Sequence, residues 1–130
     1  METNMVFDGA STPSEMDVTQ AGTLAREVFV DIASKWMLLV INVIGARTVR
    51  FGVLLNEIDG ISQKMLTQSL RSLQRNGIVE RTAYPTIPPR VEYRLTPAGV
   101  KLRDIVNNIC VWTYEHLDEI EEARRSHPAP

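Results

Sequence analysis

The spacing of apolar positions changes several times along the chain, and each change marks an element. Leu24, Val28 and Ile32 recur every fourth residue, one face of a helix that starts near Leu24. The run 36-WMLLVINVIGA-46 is apolar except at Asn42, which predicts a buried helix capped by Ser34 and ended by Gly45. Arg47-Thr48-Val49 has strand character, 51-FGVLLNEI-58 predicts a third, short helix, and Asp59-Gly60-Ile61 reads as a turn.

The pattern over residues 62–76 is the best marked. Ser62 is suited to cap a helix, with Ile61 and Leu66 forming a hydrophobic staple across the cap. Gly77 is suited to end it in a left-handed turn that folds Ile78 back onto Leu73. Leu66, Leu70 and Leu73 make one stripe, joined by Met65. The opposite face carries Lys64, Thr67, Gln68, Arg71 and Arg75, with Gln63 at its N-terminal edge.

Beyond Gly77 the period shortens to two. Residues 78-IVERTAY-84 and 90-RVEYRL-95 read as strands, the second strictly alternating, with Pro-Thr-Ile-Pro-Pro between them. A hairpin is expected, its tip stiffened by Pro85, Pro88 and Pro89, which fix φ and withhold amide donors from edge pairing. Thr96-Pro97 then starts a helix, with Leu95 and Val100 as a second staple. Its seam (Leu102, Ile105, Val106, Ile109, Trp112, Thr113, His116, Leu117, Ile120) runs at three- and four-residue steps to about Ala123. Residues 1–20 lack periodicity and read as a flexible arm, residues 21–123 as one domain, and residues 124–130 as a fraying tail.

Length and composition agree with one small globular domain: 130 residues, 44% hydrophobic and 23% charged. The longest apolar run falls short of the roughly 20 residues a bilayer span needs. With no secretory signal and a single cysteine, Cys110, a cytoplasmic protein is expected. The net charge of −2 conceals a sharp division: residues 1–33 carry −5, residues 34–46 +1, residues 47–103 +6 and residues 104–130 −4. The central segment can therefore attract an anionic polymer although the ends are acidic.

The order of elements, mainly α with a small β-hairpin, is that of a winged helix-turn-helix. Its capped helix is narrow enough to enter a major groove. Gln68 suits adenine and Arg71 guanine, Lys64 suits guanine or a phosphate, and Ser62, Gln63 and Thr67 suit contacts near the helix N-terminus. Arg81, Arg90 and Arg94 lie along the hairpin, in reach of phosphates or a minor groove. A merely solvated helix face, and a winged helix docking an acidic protein, remain alternatives. The final helix, with Leu24, Val28, Phe29 and Ile32, is expected to bury its seam against a second copy, intramolecular packing being the alternative. Cys110 on that seam reads as a small core hydrophobe, with thiol-based redox sensing the alternative. His116, His127 and Cys110 lack metal-ligand spacing, and neither a phosphate loop nor a nucleophile triad is suggested, so no cofactor and no enzyme are expected.

The fragments RFG (50–52), GIS-K-ML-Q-LR-L (60–73), Gly-Ile-Val-Glu-Arg (77–81) and YP-x-x-PPRVEY-LT-x-x-G (84–99) occur here in order and at characteristic spacing. Together with 35-KWMLLVINVI-44 they resemble the HxlR-type winged helix-turn-helix regulators, relatives of the MarR class, over about residues 28–117. The resemblance implies a homodimer on operator double-stranded DNA, with helix 62–76 in the major groove and hairpin 79–95 as wing. Arg50, from the RFG fragment, joins the expected DNA contacts. Many members sense electrophiles through a cysteine before the first helix; the stretch 17-DVTQAGTLAREVFVD-31 has none, and the sequence identifies no small-molecule effector. Ala33-Ser34 stands where members often have Gly-Gly, a change expected to be structural only.

Overall fold

The computed structural model describes residues 22–130; the expected arm over 1–20 lies outside them. Six helices and a small sheet follow in the order α1 (Thr23–Ile32), α2 (Lys35–Ile44), β1 (Val49–Arg50), α3 (Phe51–Glu57), α4 (Gln63–Arg75), β2 (Val79–Tyr84), β3 (Arg90–Leu95), α5 (Pro97–Glu115), α6 (Leu117–Ser126). α2 is the hub. Val40, Ile41 and Ile44 are fully enclosed, meeting Leu54 of α3, Leu66, Leu70 and Leu73 of α4, Tyr93 and Leu95 of β3, and Val106 of α5.

The sheet is antiparallel in the order β1-β3-β2, so the expected hairpin has a third, two-residue strand beside it, with Val49 opposite Tyr93 and Arg50 opposite Glu92. The five-residue loop sets the hairpin register at Tyr84↔Arg90, from which Glu80↔Arg94 and Arg81↔Tyr93 follow. One face of the hairpin therefore holds Val79, Arg81 and Ala83 with Leu95, Tyr93 and Val91; the other holds Glu80, Thr82 and Tyr84 with Arg94, Glu92 and Arg90.

The helix ends of α4 form as its sequence dictates. The Ser62 hydroxyl accepts from the Met65 amide at 3.0 Å. Gly77 adopts φ +72°, letting the Ile78 amide donate to the Leu73 carbonyl at 2.9 Å and the Gly77 amide to Gln74 at 3.1 Å, a Schellman closure. α5 is anchored to the same turn. Thr96 donates through its hydroxyl to the Gly77 carbonyl at 2.6 Å and accepts from the Gly99 amide at 3.1 Å. Gly99 packs so closely that a Cβ there would fall on the Ile78 carbonyl oxygen.

The C-terminal helix differs from its expected single span. It breaks at His116 (φ −109°, ψ 14°), giving two helices, and α6 continues to Ser126 rather than fraying after Ala123. At the break the His116 ring stacks on Trp112, with centroids 4.8 Å apart, and Nδ1 lies 2.9 Å from the Trp112 carbonyl. Since a carbonyl only accepts, Nδ1 carries the hydrogen.

Candidate nucleic-acid interface

α3, the turn and α4 form the helix-turn-helix. α3 is tied to the end of α2 by Arg47, whose guanidinium donates to the Val43 carbonyl at 2.7 Å and to both Glu57 carboxylate oxygens, at 2.7 and 3.3 Å. Hydrogen bonding and charge from Arg47 hold the Glu57 carboxyl below its ordinary range, and Glu57 in turn raises Arg47. Ile58 and Ile61 bury themselves at the two sides of the turn, which fixes where α4 begins.

The outward stripe of α4 carries Lys64, Gln68, Arg71 and Arg75, all exposed, opposite the buried Leu66, Ser69, Leu70 and Leu73. Two expected contacts are already engaged within the helix. Thr67 is half-buried and its hydroxyl donates to the Gln63 carbonyl at 2.8 Å, so it can only accept from a ligand. The Ser62 oxygen serves as the cap, leaving its hydroxyl hydrogen free. Gln63 is exposed. Arg50 is exposed at the start of α3, on the sheet face of Glu92.

The wing separates the three arginines that the sequence groups together. Arg81 faces α4, where a groove of about 530 Å³ is lined by Gln63, Thr67, Arg71 and Gln74 of the helix, Arg81 of β2, and a floor of Phe51, Leu70, Val91 and Tyr93. Arg94 and Arg90 point to the outer face. Arg94 pairs with Glu80 through two nitrogens at 2.6 and 2.8 Å. Arg90 stacks over Tyr84 at 4.1 Å and lies 3.5 Å from Glu92. Sequence reasoning missed Gln74 and the two glutamate partners. Part of the signal was present: once a five-residue loop fixes the register, the Glu80–Arg94 pair across the strands can be counted off, while Arg90 and Glu92 share β3 and lie two residues apart on its outer face.

At the other end of the molecule, the expected contact seam divides. Val106 is buried at 3% exposure in the chain's own core and is withdrawn from any partner, and Leu102 is half-buried against the same core. Gly99, Leu102 and Val106 share the face of α5 that meets the chain's own core. Ile105, on a neighbouring face, and Ile109, Trp112 and Leu117 farther along are 42–57% exposed, and Thr113 is exposed with its hydroxyl donated to the Ile109 carbonyl. On α1, Leu24 and Phe29 are exposed while Val28 is half-buried. Cys110 is exposed, not the small core residue expected within this chain, because α5 has passed beyond the core by that point. Among the described residues no group of His, Cys, Asp and Glu could hold a metal ion, and no helix is long and apolar enough to cross a membrane.

Comparison with known proteins agrees with this geometry. The model of the HxlR-like helix-turn-helix family matches residues 31–121. The uncharacterized HTH-type transcriptional regulator YtfH of Escherichia coli (strain K12) is 39% identical over 100 residues, 77% of this chain and 79% of that protein. The solved structure of the ytfH regulator from Salmonella typhimurium superimposes with a TM-score of 0.72 at 37% identity, over 78% of this chain and 90% of that one. The redox regulator HypR in its reduced form superimposes with a TM-score of 0.70 at 32% identity, over 77% of this chain and 99% of that one. The fold is the winged helix-turn-helix of these neighbours, and the family consists of transcriptional regulators rather than enzymes. With its family model matched over most of its length, the chain belongs to the HxlR-like helix-turn-helix transcriptional regulators.

Proposed function

We propose that this regulator is a cytoplasmic homodimer that binds an inverted-repeat operator sequence-specifically and represses transcription there. The observation that carries the reading is α4: capped at both ends, anchored by a fully buried leucine stripe, and presenting Lys64, Gln68 and Arg71 outward beside the wing. Such a helix fits a major groove, where Gln68 pairs with adenine and Arg71 with guanine through two hydrogen bonds each. Lys64, Gln63, Ser62 and Arg50 flank them toward the phosphates.

The dimer is supported by the apolar surface that α5, the start of α6 and α1 leave open, Ile105, Ile109, Trp112 and Leu117 together with Leu24 and Phe29. Two-fold symmetry then places half-sites about 34 Å apart, one helical turn, or a multiple of it. Repression, rather than activation, is the outcome that the resemblance to the HxlR-type regulators implies for such a dimer. Selection of bound fragments from a genomic pool tests the reading. Recovery of an inverted repeat with that spacing is expected, and recovery of no common sequence would contradict it.

Thiol control is the second reading. It is supported by the exposed Cys110 and by the likeness to the redox regulator HypR. Diamide treatment should then alter operator binding by the native chain and leave a Cys110→Ser variant unaffected. Equal behaviour of the two would discard this reading.

A further inference from the structure

The geometry points to a seat for one DNA backbone phosphate in the groove between α4 and the inner face of the wing, with Arg81 as its cation. Arg90 and Arg94, on the outer face, are neutralised within the wing and take no phosphate. The inference rests on the operator-binding reading above and assigns the wing's part in it.

The two faces of the hairpin differ in charge. Among the inward cross-strand pairs Val79–Leu95, Arg81–Tyr93 and Ala83–Val91, Arg81 is the one charged residue. The groove it enters is lined by no carboxylate, and its helix wall adds Arg71 and the side-chain amides of Gln63 and Gln74. With Arg71 committed to a base, the phosphate is left to Arg81 and the two amides, and the floor of Leu70, Val91, Tyr93 and Phe51 lowers the local dielectric and strengthens their pull on an anion. A phosphodiester, with one negative charge and several acceptor oxygens, suits a wall of guanidinium and amide donors. Thr67 adds no donor, because its hydroxyl hydrogen is engaged by the Gln63 carbonyl.

The outer face pairs two acids with two bases: Glu80 with Arg94, and Glu92 beside Arg90. The Glu80–Arg94 pair is exposed and individually weak, and the half-buried Arg90–Glu92 contact, at 3.5 Å, is long. What matters is that the hairpin's own charges on this face cancel, with Arg50 of β1 opposite Glu92, so an approaching phosphate meets a carboxylate beside each hairpin guanidinium. The Tyr84 ring under Arg90 further fixes that side chain along the strand.

Counterion release separates the arginines. Each phosphate neutralised contributes about 0.9 to the slope of log Kd against log salt, so a dimer that loses Arg81 from both subunits should lose about 1.8. The experiment is fluorescence-anisotropy titration of the full chain with the selected operator and with a random duplex, over a range of KCl concentrations. R81Q is expected to lower the slope by that amount on both duplexes, weakening them by equal factors. R81K should restore the slope, while R90Q and R94Q should keep the wild-type value. An unchanged slope for R81Q, or an equal drop for R94Q or R90Q, would overturn the assignment while leaving operator binding intact. Failure of the wild-type chain to bind either duplex would overturn the operator-binding reading itself.

Discussion

α4 and α5 are both amphipathic, yet they dispose of their apolar stripes in opposite ways. α4 encloses Leu66, Leu70 and Leu73 in the chain's own core and turns its polar face to solvent. α5 encloses Gly99 and Val106 and leaves Ile109 and Trp112, farther along, about half exposed. The difference is one of reach. Thirteen residues of α4 stay within the span of α2 and the sheet, whereas the nineteen of α5 overrun the domain. At a rise of about 1.5 Å per residue, α5 carries its seam beyond anything the other described residues lay against it. A closed stripe is a stability feature; the open one is the surface that the proposed dimer would bury.

Substitutions should separate the two helices by what they damage, and the largest effect falls on the closed one. Leu66→Ala removes a fully buried side chain and is expected to cost about 3 kcal/mol of folding stability, measured by urea denaturation at fixed protein concentration. Trp112→Ala, on the open seam, is expected to leave the unfolding of the isolated subunit nearly unchanged. It should weaken dimerisation by about 2 kcal/mol, roughly thirtyfold, as read by sedimentation equilibrium. Equal losses of subunit stability in the two variants would erase the distinction drawn between the helices.

Smaller effects sharpen the account of how α4 is held. Ser62→Ala deletes the cap and should destabilise by about 1 kcal/mol, with Ser62→Asp recovering it in thermal melts. The Arg47–Glu57 tie gives a pH signature. Because Arg47 lowers the Glu57 pKa in the folded chain, the contribution is present above the carboxylate's unfolded value and fades as pH falls through the lowered folded one. Both side chains are open to solvent, which screens the pair, so the effect is small. Glu57→Gln should flatten that acid limb, and an unaltered profile would show that the tie does not couple to folding.

Much of α4 was legible in the sequence because its signals are local. Ser62, Gly77 and Ile78 each act within five residues of their partners, and the leucine spacing names the buried face directly. The hairpin was legible for the same reason, its strands and loop appearing where alternation and proline place them. What escaped depended on contacts between elements. Val106 carries the same apolar character as Ile109, and only the crossing of α5 over α2 separates the buried residue from the exposed one. Cys110 was displaced from the expected core by the same geometry. Among the candidate DNA contacts, Arg81, Arg90 and Arg94 look equivalent along the chain, yet the pleat puts the first in the groove and the others against glutamates. The break at His116 interrupts a periodicity that continues smoothly in the sequence, and there the ring stacks on Trp112 and lies against its carbonyl.

The central claim is that the outward stripe of α4 reads base edges, and the most direct measurement compares affinities for the selected operator and a random duplex in the native chain and in Arg71→Ala. A lost two-hydrogen-bond contact to guanine is worth about 1–3 kcal/mol of discrimination. Arg71→Ala should lose roughly tenfold or more in the ratio of the two affinities while its thermal stability is kept. A native chain that binds both duplexes equally, or an Arg71→Ala variant that keeps the full ratio, would contradict that claim.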